Sequence, residues 1–410
     1  MKCYALTYDT KEVIFVTDRI YMDNAATTPL KREVLDAMMP YLTEEYGNAS
    51  SIYLTGRSAK SALDDARERA AKAIGAKANE LYFTSCGSEA DNWAIKGAAY
   101  AYSSKGKHII SSVIEHHAVL HTLQYLEKQG FEVTYLPVDE YGMISLDDLK
   151  NAIREDTTLI TIMFANNEIG TIQPIKEIGK IAKEHKILFH TDAVQAVGHI
   201  PIDVCELGVD MLSISAHKIY GPKGVGALYL RNGIKIDNFM HGGAQERSRR
   251  AGTENVAGIV GFAKALELAT KDIDKNIKQL EKLRDMLING IMENIPYCRL
   301  NGHPTKRLCN NVNFSFEFIE GESLLLMLDM KGIAASSGSA CTSGSLDPSH
   351  VLLAIGLPHA IAHGSLRLSI GDFTNEDEVR VVIDALGPIV QRLRDMSPLY
   401  EEIERGLKNV

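Results

Sequence analysis

Lys218 lies in the run Ser213-Ile-Ser-Ala-His-Lys-Ile-Tyr-Gly-Pro-Lys-Gly-Val-Gly226, directly after a strand-like apolar stretch and directly before a glycine-rich turn. A lysine held away from water gives up its proton readily and can form a Schiff base with an aldehyde, while Ser215 and His217 carry donors of the kind that grip a phosphate. A strand-end lysine beside a turn suits the same position. Upstream, an apolar stretch runs into Thr191-Asp-Ala-Val-Gln195, which sets Asp192 at the carboxyl edge of a strand, where open α/β sheets bind ligands. Asp192 is suited to keeping a ring nitrogen protonated, and equally to capping a helix. Gln195 can donate to a phenolic oxygen on the same ring.

Four further segments carry chemistry. Thr84-Ser-Cys-Gly-Ser-Glu-Ala-Asp91 joins a strand to a helix through small residues, so the backbone N–H groups of Gly87 and Ser88 lie at a helix N-terminus, ready for an anion. It is neither a Walker A nor a GxGxxG motif. Glu115-His116 follows another strand, and the imidazole of His116 can stack on a ring or move protons near neutral pH. In Ala335-Ser-Ser-Gly-Ser-Ala-Cys-Thr-Ser-Gly-Ser345 a small-residue loop carries the one thiol of Cys341. Such a loop is expected to be exposed and able to bring a thiolate to a bound sulfur, although Ser/Gly runs also serve as linkers. Arg367, in Ser365-Leu-Arg-Leu-Ser-Ile-Gly371, suits bidentate capture of a carboxylate or a structural ion pair.

The elements that must position these residues follow from periodicity. Residues 81–84, 108–111, 132–136, 159–164, 187–190, 211–214 and 226–230 read as strands; residues 61–74, 89–103, 119–129, 146–154 and 175–185 read as helices between them. This alternation predicts an α/β fold: a large domain with a mostly parallel seven-stranded sheet flanked by helices, over residues 20–265. From 266 to 410 the pattern becomes that of a smaller α+β domain carrying the Cys341 loop. Residues 256–294 read as long charged amphipathic helices, a long continuous helix is expected to connect the two domains because no Pro/Gly/Ser-rich linker marks the join, and residues 376–394 read as a last helix. Residues 1–19 are expected to be an extension of unknown role, and residues 20 onward to pack on the small domain.

Composition bounds the rest. The 410 residues are 45% hydrophobic and 24% charged, as in an ordinary globular protein, and the net charge of −9 offers no general grip on nucleic acid or anionic lipid. No run of about 18 apolar residues and no secretory signal is present, so the protein is expected to be cytoplasmic, with no membrane attachment. The six cysteines (Cys3, Cys86, Cys205, Cys298, Cys309, Cys341) show no CxxC pair or metal-ligand spacing, which argues against a disulfide framework or intrinsic metal site. Most are expected to be buried small hydrophobes.

Together these segments resemble the cysteine desulfurases of the NifS/IscS type, within the class V aminotransferase group of fold-type I pyridoxal-phosphate enzymes. The resemblance runs from about Tyr21 to Tyr400 and includes Tyr21-Met-Asp-Asn-Ala-Ala-Thr-Thr-Pro29, Asn166-Asn-Glu-Ile-Gly170, Ala216-His-Lys-Ile-Tyr-Gly-Pro-Lys-Gly224, His241-Gly-Gly, Arg250-Ala-Gly-Thr253, Asn301-Gly-His and the Ser-Gly-Ser-Ala-Cys loop. It implies pyridoxal phosphate held on Lys218, with Asp192 on the ring nitrogen, Gln195 on the phenolic oxygen and His116 stacked on the ring. Gly87, Ser88, Ser215 and His217 would take the phosphate, joined by Thr253 from the partner subunit of a homodimer. Asn167 and Arg367 would hold the carboxylate of L-cysteine. Cys341 would take the sulfur as a persulfide and pass it to an iron–sulfur scaffold protein or another acceptor, contacting a transient cluster in doing so.

The chain departs from the family pattern at a few small residues. Cys86 and Gly87 stand where Gly and Ala or Gly are usual, Ser88 replaces Thr, Ala49 replaces Pro and Ala216 replaces Gly. Cys86 therefore adds a second thiol beside the phosphate turn. A selenocysteine lyase or a class V aminotransferase would use the same fold, and a non-enzymatic assembly partner is a third reading, which intact Lys218, Asp192 and Cys341 oppose.

Overall fold

The computed structural model describes residues 19–337 and 348–404. Strand β1 (Ile20–Tyr21) opens the described chain. Seven further strands follow: β2 (Leu81–Thr84), β3 (His108–Ser112), β4 (Glu132–Leu136), β5 (Thr157–Thr161), β6 (Leu188–Asp192), β7 (Met211–Ser215) and β8 (Gly226–Leu230). They form one sheet in the order β2-β8-β7-β6-β5-β3-β4. Every pairing is parallel except those of β8, which runs antiparallel to both β7 and β2. The exception has a local cause: residues 216–225 are too few to carry a crossover helix, so the chain turns back on itself. The expected seven-stranded, mostly parallel sheet is thus the observed one.

Burial on both faces explains why the strands read as apolar runs. Ile109, Met211 and Leu228 face one core with Trp93 and Leu123. Their chain neighbours Ile110, Leu212 and Ala227 face the other, with Leu63, Phe83 and Phe189. Helix Gly87–Ala101 lies in the first core, where Trp93 is fully buried and meets Tyr82 edge to face at 5.6 Å.

Most predicted bounds shift by a few residues, the helix read over 61–74 begins already at Leu54, and two segments differ for a physical reason. β5 begins at Thr157 and ends at Thr161, although Ile162 and Phe164 still donate to His190 O and Asp192 O. The helices expected over 256–294 are Val256–Lys271 and Ile273–Asn294, and the continuous helix expected to connect the domains is broken between them at Asp272, with φ −125° and ψ 38°. Each helix belongs to a different core. Ile259, Phe262 and Leu266 pack with the large sheet, whereas Leu283, Leu287 and Ile291 pack with Phe314, Leu366, Val382 and Met22. One straight helix cannot turn its apolar face toward both.

The second core covers a three-stranded antiparallel sheet made by β9 (Cys298–Leu300), β10 (Asn311–Phe316) and, beyond the two-residue β11 (Ile333–Ala334), β12 (Ser365–Ser369), in the order β12-β10-β9. β1 pairs in parallel with β11. Helix Glu376–Asp395 closes this layer, opened by a capping box between Asn375 and Glu378. No described helix is long and apolar enough to cross a membrane.

The expectation that most cysteines are buried does not hold among the described ones. Only Cys309 is buried; Cys205 is exposed on the short surface helix Val204–Leu207, and Cys86 and Cys298 are half-buried. Cys3 and Cys341 lie outside the described residues.

Candidate active site

The parallel strands end at one edge of the sheet, and a cavity of about 340 Å³ opens there. Its wall contains Gly87, Ser88, His116, Asn167, Asp192, Gln195, Ser215, His217, Lys218 and Arg367, ten residues that the sequence singles out from segments far apart in the chain.

Lys218 ends a short 3-10 turn that follows β7. Its Nζ donates to the backbone oxygens of Ala25 and, at 2.8 Å, Ala26. Gln195 Nε2 also reaches Ala25 O, at 3.0 Å. Immediately after Lys218 the backbone is strained: Tyr220 has φ 63°, a region that a bulky side chain rarely enters. It is held there because its N–H donates to Thr28 Oγ1 at 2.7 Å and its hydroxyl accepts from Asp372 N at 2.6 Å. The Lys218 turn is therefore clamped to the 23–29 segment on one side and to Asp372, just beyond β12, on the other.

Asp192, the last residue of β6, is 7% exposed, and its Oδ1 accepts from Val194 N at 2.9 Å. Burial pushes its carboxyl up to about 6 against the opposing pull of that hydrogen bond and of Lys218. Behind it Asp91 is fully buried, and burial together with the charge of Asp192 raises its carboxyl well above the ordinary range. Asp91 Oδ1 lies 3.6 Å from His190 Nε2.

His116 caps helix His117–Lys128: its Nδ1 accepts from Ala118 N at 3.1 Å. Burial first, and then the neighbouring charge of Lys218, lower its pKa to about 4, so the ring is neutral at pH 7. With Nδ1 accepting, the proton of the neutral ring resides on Nε2.

The turn between β2 and helix Gly87–Ala101 has the geometry of an anion cup. A Cβ on Gly87 would meet Val194 Cγ2 at 2.7 Å, and one on Gly226 would come within 2.7 Å of the Cys86 backbone, so both positions exclude larger residues. Ser215 Oγ, facing this cup, is buried without a hydrogen-bond partner among the described residues. A buried hydroxyl in that state calls for a ligand atom. Cys86 also lines the cavity, its Sγ accepting from Glu89 N at 3.4 Å. Arg250 grips Glu89 through two bonds of 2.7 and 2.9 Å, which ties the 250–253 segment to this helix terminus. Thr253 itself is exposed and does not line the cavity formed by this chain.

Opposite the cup, Arg367 is 2% exposed on β12. It makes the structural ion pair, Nη2 to Asp23 Oδ1 at 2.9 Å, and Nη1 donates to Asn167 O at 3.0 Å. Its Nε has no partner among the described residues and remains as a donor toward a carboxylate.

Sequence reasoning left out several residues of this wall. Asp91 closes the Thr84–Asp91 run and Glu168 sits inside Asn166-Asn-Glu-Ile-Gly170, but neither received a role. His117 and His350, whose rings lie 4.9 Å apart, come from segments more than 200 positions distant, and nothing local signals their meeting.

The pattern of the family described as Aminotransferase class-V matches residues 20–382. A protein of Methanosarcina thermophila described as cysteine desulfurase IscS is 65% identical over 388 residues, covering 95% of this chain and 96% of its own length. A namesake from Clostridium botulinum (strain Hall) is 60% identical over 386 residues, covering 94% and 97%. Among solved structures, a NifS-like protein superposes with a TM-score of 0.86 at 40% identity, covering 92% of this chain and all of that one. A structure described as SspA in complex with cysteine gives 0.77 at 39% identity, covering 87% and 99%. The chain belongs to the class V aminotransferase family and, within it, to the cysteine desulfurases of the IscS type.

Proposed function

We propose that the protein converts L-cysteine to L-alanine and leaves the sulfur on Cys341 as a persulfide. The observation that carries this reading is the convergence on one cavity of Lys218 Nζ, the Asp192 carboxyl and the partnerless Ser215 hydroxyl, with Arg367 on the facing wall.

These residues fit pyridoxal phosphate. Lys218 would hold it through its amine, Asp192 would face the ring nitrogen, Gln195 the phenolic oxygen and His116 the ring face. Gly87, Ser88, Ser215 and His217 would hold its phosphate, joined by Thr253 of a second copy in a homodimer. When bound, the cofactor supplies an electron sink that stabilises negative charge at the substrate's Cα.

The chain's own groups do the rest. Arg367 and Asn167 hold the cysteine carboxylate and fix which bond at Cα faces Lys218. Lys218 Nζ moves the Cα proton, and neutral His116 keeps its Nε2 proton for donation to the substrate. Cys341 Sγ accepts the sulfur atom: the substrate C–S bond breaks, an S–S bond forms, and the carbon gains hydrogen to become the methyl of alanine. The carbon is reduced as the sulfurs are oxidised, so no external redox partner is needed. Ser336, five positions before Cys341 in the sequence, is bridged to Arg367 of β12. The persulfide would then pass to an iron–sulfur scaffold protein or another sulfur acceptor.

Anaerobic incubation with L-cysteine, followed by mass spectrometry, tests this directly. The expected result is one added sulfur on Cys341 and alanine in solution. Sulfide release by Cys341→Ala without added thiol, at the wild-type rate, would refute it.

A further inference from the structure

The segment that carries Cys341 is held at both described ends on the wall that holds Arg367. On its N-terminal side, Ser336 and Arg367 exchange backbone hydrogen bonds of 3.2 and 2.6 Å. On its C-terminal side, Ser349 is 5% exposed and its hydroxyl donates to the Glu168 carboxylate. The same hydroxyl accepts from Val351 N at 3.1 Å and Leu352 N at 3.3 Å, so it also caps helix His350–Ala354. His350 Nε2 reaches Glu115 O at 3.1 Å, and Val351, Leu352 and Ile355 pack on Ile114, Met163 and Ile169.

Glu168 is itself rigidly set. It is 4% exposed, its N–H donates to Asn166 Oδ1 at 2.9 Å, and its carbonyl accepts from Asn313 Nδ2 at 3.0 Å. One residue earlier, Asn167 O accepts from Arg367 Nη1. A single dipeptide step thus holds the carboxylate-binding arginine through one residue and the return point of the Cys341 segment through the next. Burial raises the Glu168 carboxyl, which favours its neutral form and makes glutamine a close mimic.

We propose that Glu168 is a positioning residue for sulfur transfer: by holding Ser349 it fixes the C-terminal anchor of the Cys341 segment in the same frame as the substrate's carboxylate. This rests on the reading of Cys341 as the sulfur acceptor. Glu168 acts through Ser349 and not on the sulfur or the reacting carbon; a misplacement of about 1 Å between reacting atoms costs on the order of 100-fold, and loosening this anchor draws on part of that.

The test uses the full-length holoenzyme, mixed anaerobically with L-cysteine. Three quantities are read: visible cofactor absorbance before mixing, the rate of its change on mixing, and the rate of persulfide formation on Cys341 by quench and mass spectrometry. Glu168→Ala should slow persulfide formation by about 10- to 100-fold while the first two stay within about twofold of wild type. Glu168→Gln, whose amide oxygen still accepts from Ser349, should recover most of the rate. Ser349→Ala, which removes the helix cap as well as this tie, should be at least as slow as Glu168→Ala, and the double variant should be no slower than Ser349→Ala. The proposal fails if Glu168→Ala forms persulfide at the wild-type rate, if glutamine fails as alanine does, or if the loss tracks cofactor loading. Absence of persulfide in wild type would instead overturn the desulfurase reading.

Discussion

Asp192→Asn separates the cost of a buried acid from its use. In the cofactor-free protein, burial lifts the carboxyl from 3.8 to about 6, two units in which the charged form is penalised. At 1.36 kcal/mol per unit the penalty is about 3 kcal/mol. Below about pH 4 the group is protonated in folded and unfolded chains alike, and the substitution is neutral. Between about pH 4 and 6 the unfolded chain releases a proton that the folded chain keeps, so native stability falls as pH rises; above that the full penalty stands. Asparagine carries no charge, and its amide oxygen can still accept from Val194 N. The cofactor-free Asp192→Asn protein should therefore gain up to about 3 kcal/mol over wild type at pH 8 and nothing near pH 4.

The same change removes the charge expected to keep the cofactor's ring nitrogen protonated. A hydrogen bond to a charged partner contributes about 1.5–3 kcal/mol, so desulfurase turnover should fall roughly 10- to 100-fold or more. Urea titrations of the cofactor-free proteins at the two pH values, paired with alanine formation by the reconstituted ones, read both halves. A variant less stable than wild type at pH 8, or equally stabilised at both pH values, would refute the reasoning, as would full turnover.

Two further outcomes follow from buried carboxylates elsewhere. Glu246, 5% exposed, binds Arg67 through contacts of 2.6 and 2.7 Å and accepts from Phe83 N at 2.9 Å; Glu246→Ala strands a buried guanidinium and should cost about 3–5 kcal/mol in denaturant unfolding. Glu115, pushed up to about 8 by burial, accepts from Ser112 Oγ and Met163 N. Wild-type stability should decline as pH rises from about 5 through 8, and Glu115→Gln should flatten that decline.

What the sequence made legible was whatever its local pattern encodes. β2, β4 and β8 match residue for residue because continuous apolar runs flanked by turns have few other readings, and the small residues around Gly87 and Gly226 mark close backbone approach wherever they fall. The ties that make the cavity work are not local. Lys218 meets Ala25 across 193 positions, Arg67 meets Glu246 across 179, and Ser349 meets Glu168 across 181. No periodicity signals such meetings; they follow from strand order, which brings the ends of β2, β3, β5, β6 and β7 to one edge. The break at Asp272 was hidden for a related reason: helical periodicity persists through it, and only the two cores, facing different ways, force the chain to turn.

This division explains why acids such as Asp91 and Glu168 were missed. An exposed carboxylate and a buried one look identical in sequence, yet burial, joined at Asp91 and Glu115 by neighbouring charge, lifts Asp91, Glu115, Glu168 and Asp192 above the ordinary carboxylate range. Each lies at the carboxyl edge of the sheet, and each but Asp91 accepts a hydrogen bond from a group within or beside the cavity wall. Glu115 and Glu168 serve as acceptors that hold loops in register, and Asp192 is the one whose charge a bound cation would restore. A site built this way is stable without its cofactor only at the expense of that one charge, which is why removing it should strengthen the fold and disable the enzyme together.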